Sequence, residues 1–512
     1  MKIAILADLH LPNRHDTVNE DILDWALDTL LTRQVQLIVL AGDMIQAGAV
    51  EAATRLRHKL AMTGLPFLMV LGNTELDTPG LKEIFTGEDF QKLAHGVVAA
   101  LTPSEISSFK EHSVLLKKLI DEYPESFMLV NHYPLDALPD DVRAWTEELF
   151  RGHHGAIFIA GHQHMDNEQK FAEAEFHIVR GLDSDKAIGA PPALHIFEYE
   201  QTTRKWHRRD IAFAGCNPVL WHQNEIDKFT ELLGVSTMHN TIKGIDYAIS
   251  QRIKCLEIRF EATKELSLSQ LSESINSWRK SGGKVLSLHF PDISWDKENN
   301  TLAENEIPLA IELAIALKIN RLTIHVPRVS VAMFAIPHIG SQLRHAFVKL
   351  ITHVLPLNIS IGIENLHMRP GEKADESRGF GYTPDECIAW VNELRNLCHS
   401  SKIGLHFDIG HARNNAPYSR AFSIAQWYAS AGSLINGYHL HQVVIGSDGV
   451  LENHQPIKNI FGPLISFSSF FYAWQNKKIV HAPIFIETDA LELSYETLSN
   501  CFFEQEMNLH EK

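Results

Sequence analysis

Five short motifs place carboxylates, imidazoles and amides directly behind apolar runs. Asp8-Leu9-His10 follows KIAILA, Gly42-Asp43 follows VQLIVLA, and Gly72-Asn73-Thr74-Glu75 follows LPFLMVL. Asn131-His132 follows ESFMLV, and Gly161-His162-Gln163-His164 follows GAIFIA. Oxygen and imidazole donors without thiolates suit Mn, Fe, Zn or Mg rather than copper. Asp8 and His10 are two positions apart, so on a strand they share a face and can hold one ion. Asp43 has two oxygens with which to bridge two ions. Asn73, His132 and His162 would complete the shell of the second ion, and His164 that of the first. Any one motif alone marks a turn or a packing histidine. Five in succession, each behind an apolar strand, point to a two-metal site.

A second set of donors lies further along the chain. His289, His325, Glu364, Asp408, His411, His439, Glu452, His454 and Glu487 all stand at or just beyond the ends of apolar runs. The three-residue gap from Asp408 to His411 lets a strand end supply one donor and the following loop another. Arg259, Arg328 and Arg413 fall near the same ends, where a guanidinium could hold a phosphate or simply form a salt bridge. His239, His338, His345, His353 and His399 fall away from strand ends and read as surface or packing residues. Trp390 and Trp427 sit at helical positions and read as core.

The elements that must carry these residues form two series. Residues 1–214 alternate strands with helices and end in the hairpin PALHIFEYE and RKWHRRDI. A less regular stretch, 215–232, reads as a linker. From 233 to 505 eight strand candidates are separated by helical segments: LGVST, IKCLEIRF, KVLSLHF, RLTIHVP, ISIGIENLH, KIGLHFDIGH, GYHLHQVV and PIFIETD. Eight such units over about 270 residues match a TIM barrel, whose active sites lie at the C-terminal ends of its strands.

The first motif set resembles the calcineurin-like metallophosphoesterases, over essentially all of residues 1–214. The resemblance implies a four-layer αββα sandwich and two ions about 3.5–4 Å apart that clamp a phosphate and activate water. Asp43, Asn73, Thr74 and His162 are then the catalytic candidates. The family usually has His after the Asn of its third motif, where this chain has Thr74. A hydroxyl is a poor proton donor near neutrality, and general-acid help is worth about 10²–10⁴-fold. Similar family members with a small residue there hydrolyse phosphodiesters.

The second set resembles the superfamily of endonuclease IV and the xylose-isomerase-like sugar isomerases and epimerases. That resemblance implies up to three Zn or Mn ions. It assigns His289, His325 and Glu364 to the first, Glu364, Asp408, His439 and Glu487 to the second, and His411, Glu452 and His454 to the third. Glu364 and Glu487 are its catalytic candidates. Glu452 replaces the family's Asp, and His441 competes with His439 for the seventh-strand position. Single-metal isomerases keep only the set of Glu364, Asp408, His439 and Glu487.

Composition narrows the field further. At 512 residues the chain exceeds what one core usually fills. With 45% hydrophobic and 21% charged residues it reads as an ordinary globular protein. No apolar run approaches a membrane span. MKIAILADLH reaches ligand residues too early for a signal peptide, which predicts a cytoplasmic protein. Five dispersed cysteines without a CxxC pair argue against disulfides and thiolate zinc. A net charge of −17 disfavours a broad nucleic-acid surface but leaves a local basic groove open. The expected function is a two-site phosphodiester hydrolase acting on a nucleic-acid end or a nucleotide or sugar phosphodiester. The alternative is a phosphatase fused to a metal-dependent sugar or sugar-phosphate isomerase or epimerase, and a phosphate-recognising scaffold is a third class.

Overall fold

The computed structural model describes residues 1–85, 90–101, 106–123, 126–153, 155–171 and 174–503. The chain divides into two compact units, Met1–Asn217 with Ser466–Ser469, and Pro218–Ile465 with Phe470–Lys512. The expected barrel terminus at 505 lies outside the described residues.

The first unit contains two sheets. A five-stranded sheet runs in the order Lys205–Ala212, Ala193–Glu200, Lys2–Leu6, Leu37–Ala41, Phe67–Val70. A six-stranded sheet runs Phe90–Leu93, Gly96–Leu101, Phe127–Asn131, Ala156–Ala160, Ala174–Ile178, Asn167–Phe171. The central strands LIVLA, FMLVN and AIFIA are buried at every position, as parallel strands covered on both faces must be. Ile3, Ile5, Val39 and Val70 of one sheet meet Val98, Met128, Val130 and Ile159 of the other in one core. Val18–Arg33 and Val50–Met62 bury Leu23, Leu30, Leu56 and Leu60. The outer face of the six-stranded sheet packs Leu129 and Phe158 against Leu116 and Val142 of helices Ile106–Glu122 and Asp140–Phe150. This is the expected four-layer sandwich. Two strands that carry no apolar run in sequence, FQKL and NEQKF, form the edges of the six-stranded sheet.

The second unit is a closed barrel of eight parallel strands. They are Leu233–Thr237, Cys255–Arg259, Val285–His289, Arg321–His325, Ser360–Glu364, Ile403–Asp408, Ile435–Leu440 and Ile484–Ile486. The ring closes where Leu233, Gly234 and Val235 pair with Ile484, Phe485 and Ile486. Trp390 and Trp427 are core, as their helical positions suggest. The stretch read as a linker is itself structured. Its segment Gln223–Leu232 is a helix that begins with Glu225 reaching back to the His222 backbone N–H at 3.0 Å and buries Phe229 beneath Trp221, Trp474 and Phe502. A small antiparallel hairpin, Gln442–Ile445 with Leu451–Gln455, follows the seventh strand.

Candidate metal centres

Every donor expected in the first unit stands where a strand ends and the chain turns. Asp8, His10, Asp43, His162 and His164 all have positive φ, between 48° and 71°. That region is uncommon for residues other than glycine, and such strain gathers at functional sites. Space is equally tight: a Cβ on Gly72 would lie 2.2 Å from Asp43 Oδ1, and one on Gly161 would lie 2.7 Å from Asp8 Oδ2.

Hydrogen bonds then orient the donors. Asp8 is fully buried and accepts the His162 backbone N–H at 2.9 Å. His132 donates Nδ1–H to the Ala41 carbonyl at 3.0 Å, which leaves a lone pair on Nε2. That lone pair faces His162 Nδ1 at 3.1 Å and Asn73 Oδ1 at 3.3 Å, and lies 3.6 Å from Asp43 Oδ1. With its amide reversed, Asn73 would instead donate to Asp43 Oδ2 at 3.2 Å. In that orientation it also donates to His132 Nε2 at 3.3 Å, so the Asn73 amide lies within reach of both Asp43 and His132. His10 Nε2 is buried without a hydrogen-bond partner, and the His10 and His164 rings stack at 5.3 Å. The donor atoms of Asp8, His10 and His164, and those of Asp8, Asp43 and His132, lie within 4.8 Å of one another. Burial pushes His10, His132 and His162 down toward the neutral form that binds metals. Burial, and then the Asp43 charge, pushes Asp8 up.

Two residues of the third motif act differently from their sequence roles. Thr74 donates both its backbone N–H (2.9 Å) and its hydroxyl (3.0 Å) to Asp43 Oδ1, so the hydroxyl is committed to Asp43 rather than open to a leaving group. Glu75 has no role in the motif reading. It is buried and accepts the backbone N–H groups of Asp43, Ile45 and Gly72 at 3.0, 2.9 and 2.8 Å, tying two ligand loops together. Burial and Asp43 push its carboxyl up to about 7. An acid three after Gly72, the capping-box spacing of the short helix Asn73–Leu76, is the available clue.

In the barrel, Glu364, Asp408, His439 and Glu487 are fully buried, and their donor atoms fall within 4.8 Å of one another. His289, His325 and Glu364 form a second such group. His289 Nε2 is 3.1 Å from Glu364 Oε2, and His325 Nε2 is 3.6 Å from Glu364 Oε1. Asp292, which no motif marks, takes His325 Nδ1 at 2.7 Å and so turns Nε2 inward. His411 Nδ1 lies 3.0 Å from the Asn365 carbonyl oxygen and 3.4 Å from Glu364 Oε1.

The third group differs from expectation. His441, His454 and Glu487 converge, and His441 Nε2 is 3.1 Å from Asp408 Oδ1. Glu452 is exposed, and its carboxylate lies against the Gly446 turn, where a Cβ on Gly446 would meet Oε1 at 2.7 Å. The reason is local. His454 has φ +58°, and the hairpin register shifts between Gln442 and Val444, so the alternation that would align residues 452 and 454 is broken. His439 in the seventh strand and His441, just past its end at Leu440, are both fully buried. Burial, then the neighbouring His441, pushes His454 down to about 2.

The three arginines have protein partners. Arg259 meets Glu487, Arg328 pairs with Asp292 at 2.8 Å, and Arg413 Nε donates to the Leu464 carbonyl at 2.7 Å. Arg413 Nε is thus turned to the backbone. All five cysteines are free, and no described helix is long and apolar enough to cross a membrane.

Residues 1–166 match the family model of the calcineurin-like phosphoesterases. No curated protein matches the chain. Among solved structures, a dimetal phosphatase from Danio rerio is similar at 15% identity, with 42% of this chain and 99% of that one covered and a TM-score of 0.31. A 3-keto-D-glucoside 4-epimerase from E. coli is similar at 12% identity, with 53% and 98% covered and a TM-score of 0.37. A Thermus thermophilus protein soaked with zinc chloride is similar at 17% identity, with 53% and 96% covered and a TM-score of 0.35. Strand-end donors in the family's order, set in a four-layer sandwich, accompany the family match, so residues 1–166 are a calcineurin-like, metal-dependent phosphoesterase domain, followed in the same chain by an eight-stranded parallel barrel.

Proposed function

We propose that the chain is a phosphodiester hydrolase with two metal centres. In the sandwich, Asp8, His10 and His164 hold one divalent ion, Asn73, His132 and His162 the other, and Asp43 joins them. The convergence of the Asn73 amide, His132 Nε2 and His162 Nδ1 beside Asp43 carries this reading. Two such ions supply Lewis acidity to a phosphate and a water nucleophile at neutral pH. The chain's own part is to fix the donors, which its buried loops and the Glu75 tie achieve. With Thr74 engaged by Asp43, the third motif offers no proton to a leaving group. Diesters with acidic leaving groups are the substrates this site suits.

The barrel is the second centre, with donors for up to three ions. His289, His325 and Glu364 serve one, Glu364, Asp408, His439 and Glu487 the next, and His441, His454 and Glu487, with His411 adjoining, the third. A nucleic-acid end or a nucleotide or sugar phosphodiester fits a centre of this kind. One observation favours a second reading. The four-residue set is wholly buried, whereas the third group leaves the His454 side chain 27% exposed and excludes Glu452. A single ion in the four-residue set would suit a sugar isomerase or epimerase, with Glu364 and Glu487 moving protons.

Metal content decides between them. Five ions per chain, with cleavage of an aryl phosphodiester and an abasic-site oligonucleotide, support the two-centre hydrolase. Three ions with turnover of a ketose support the fusion of phosphoesterase and isomerase. Loss of neither activity on chelation would sink both.

A further inference from the structure

Glu257 lies in the second barrel strand and is fully buried. Barrel interiors of this kind are normally filled by branched apolar side chains. A carboxylate there needs a full set of hydrogen bonds, and this one has it. Oε1 lies 3.1 Å from Ser236 Oγ and 2.6 Å from His439 Nε2. Oε2 lies 2.8 Å from Ser287 Oγ and 2.7 Å from Thr323 Oγ1. The four donors come from the first, third, fourth and seventh strands, so the polar layer spans the barrel beneath the candidate metal cage.

The contact with His439 fixes a tautomer. An ionised carboxylate only accepts hydrogen bonds, so Nε2 carries a proton. The other ring nitrogen then faces the cage: Nδ1 is 3.1 Å from Glu487 Oε2, 3.2 Å from Glu364 Oε1 and 3.6 Å from Asp408 Oδ2. The His289 ring is stacked 5.9 Å away at 8°, and the His406 ring lies 4.1 Å away, which limits ring rotation.

Stability alone does not account for this layer, because replacing a buried ion pair by packed apolar groups is often neutral or stabilising. We propose that Glu257 is the positioning residue of the barrel centre, holding His439 so that Nδ1 is the imidazole donor to the ion gathered by Glu364, Asp408 and Glu487. The proposal rests on the reading of the barrel as a metal centre. It adds which atom binds and what holds that atom in place. Partners of this kind set the orientation and basicity of a ligating histidine, and their loss costs about 10–100-fold in metal affinity.

The test uses the full chain with Asp43→Ala and His10→Ala to silence the first centre, titrated with Zn²⁺ after chelation. Glu257→Gln should weaken binding of one ion about 10–100-fold. Thr323→Val, which removes one of the four donors and keeps the volume, should weaken it less while circular dichroism stays unchanged. Nitrogen NMR of the zinc-loaded protein should show His439 protonated at Nε2 and metal-shifted at Nδ1, which a merely structural Glu257 would not require. Zinc on Nε2, or unchanged affinity in folded Glu257→Gln, overturns the proposal alone. If Glu257→Gln does not fold, unchanged affinity in Thr323→Val does the same. No zinc in the parent protein overturns the metal-centre reading and the proposal with it.

Discussion

Thr74 gives its hydroxyl to Asp43: Oγ1 sits 3.0 Å from Oδ1, and the Thr74 backbone N–H reaches the same oxygen at 2.9 Å. Two donors on one carboxylate oxygen fix its direction. They also remove the one side chain in the third motif that could have served a leaving group.

Rates on a series of aryl phosphodiesters should therefore fall steeply as leaving-group pKa rises. Thr74→His should raise turnover of the poorest leaving groups more than of the best, approaching the low end of the roughly 10²–10⁴-fold that general acids supply. A flat series for the wild type would show that another group already handles the proton.

In the proposed first centre Asp43 would join both ions, whereas His162 would serve one. Asp43→Ala should lower diesterase activity by at least about 10²–10³-fold, the range typical of losing one electrostatic stabiliser, with His162→Ala behind it. Both variants should keep the barrel's thermal transition. Full activity of Asp43→Ala with Mn²⁺ supplied would refute the dinuclear assignment.

Glu452 and His454 separate cleanly. Glu452→Ala should leave the zinc and manganese content of the chain unchanged, since its carboxylate rests on the Gly446 turn. His454→Ala should lose one ion if the barrel holds three, and none if it holds only the ion of the four-residue set. Metal analysis of the two variants beside wild type reads the result directly.

Chelation should cost stability as well as activity. An ion at 100 times its dissociation constant stabilises the folded state by about 2.7 kcal/mol. Melting curves with and without EDTA should shift accordingly, and re-addition of Zn²⁺ or Mn²⁺ should restore them. An unchanged melting temperature would argue that the buried donor sets bind no ion.

Much of this architecture is legible in the sequence because parallel strands buried on both faces are unbroken apolar runs, and each ends at a donor. LIVLA before Gly42-Asp43 and AIFIA before Gly161-His162 are of this kind. The polar edge strands FQKL and NEQKF carry no such run and give no signal. Helix Gln223–Leu232 is hidden because its apolar face is little more than Ile226 and Phe229. Glu452 reads as a ligand only if strand alternation continues through His454, whose backbone is left-handed. Glu257 and Asp292 do not bind directly in the proposed centre. They orient histidines that do, and such partners have no spacing of their own to read.

The seam of the barrel has a consequence for synthesis. The sandwich sheet is complete once Ala212 has been made, since its last strand, Lys205–Ala212, pairs with a hairpin neighbour. The barrel's first strand must wait for Ile484–Ile486, its partner at the seam. Roughly 270 residues separate these events, about 15–55 s of translation at the usual elongation rates. During that interval the sandwich sheets trail from the ribosome together with an open parallel sheet whose first strand lacks its seam partner, and Ser466–Ser469, the last piece of the first unit, is made only near the end. Holdase chaperones should therefore meet nascent chains of this protein late, and a stop codon just before Ile484 should yield aggregates that retain a folded N-terminal unit.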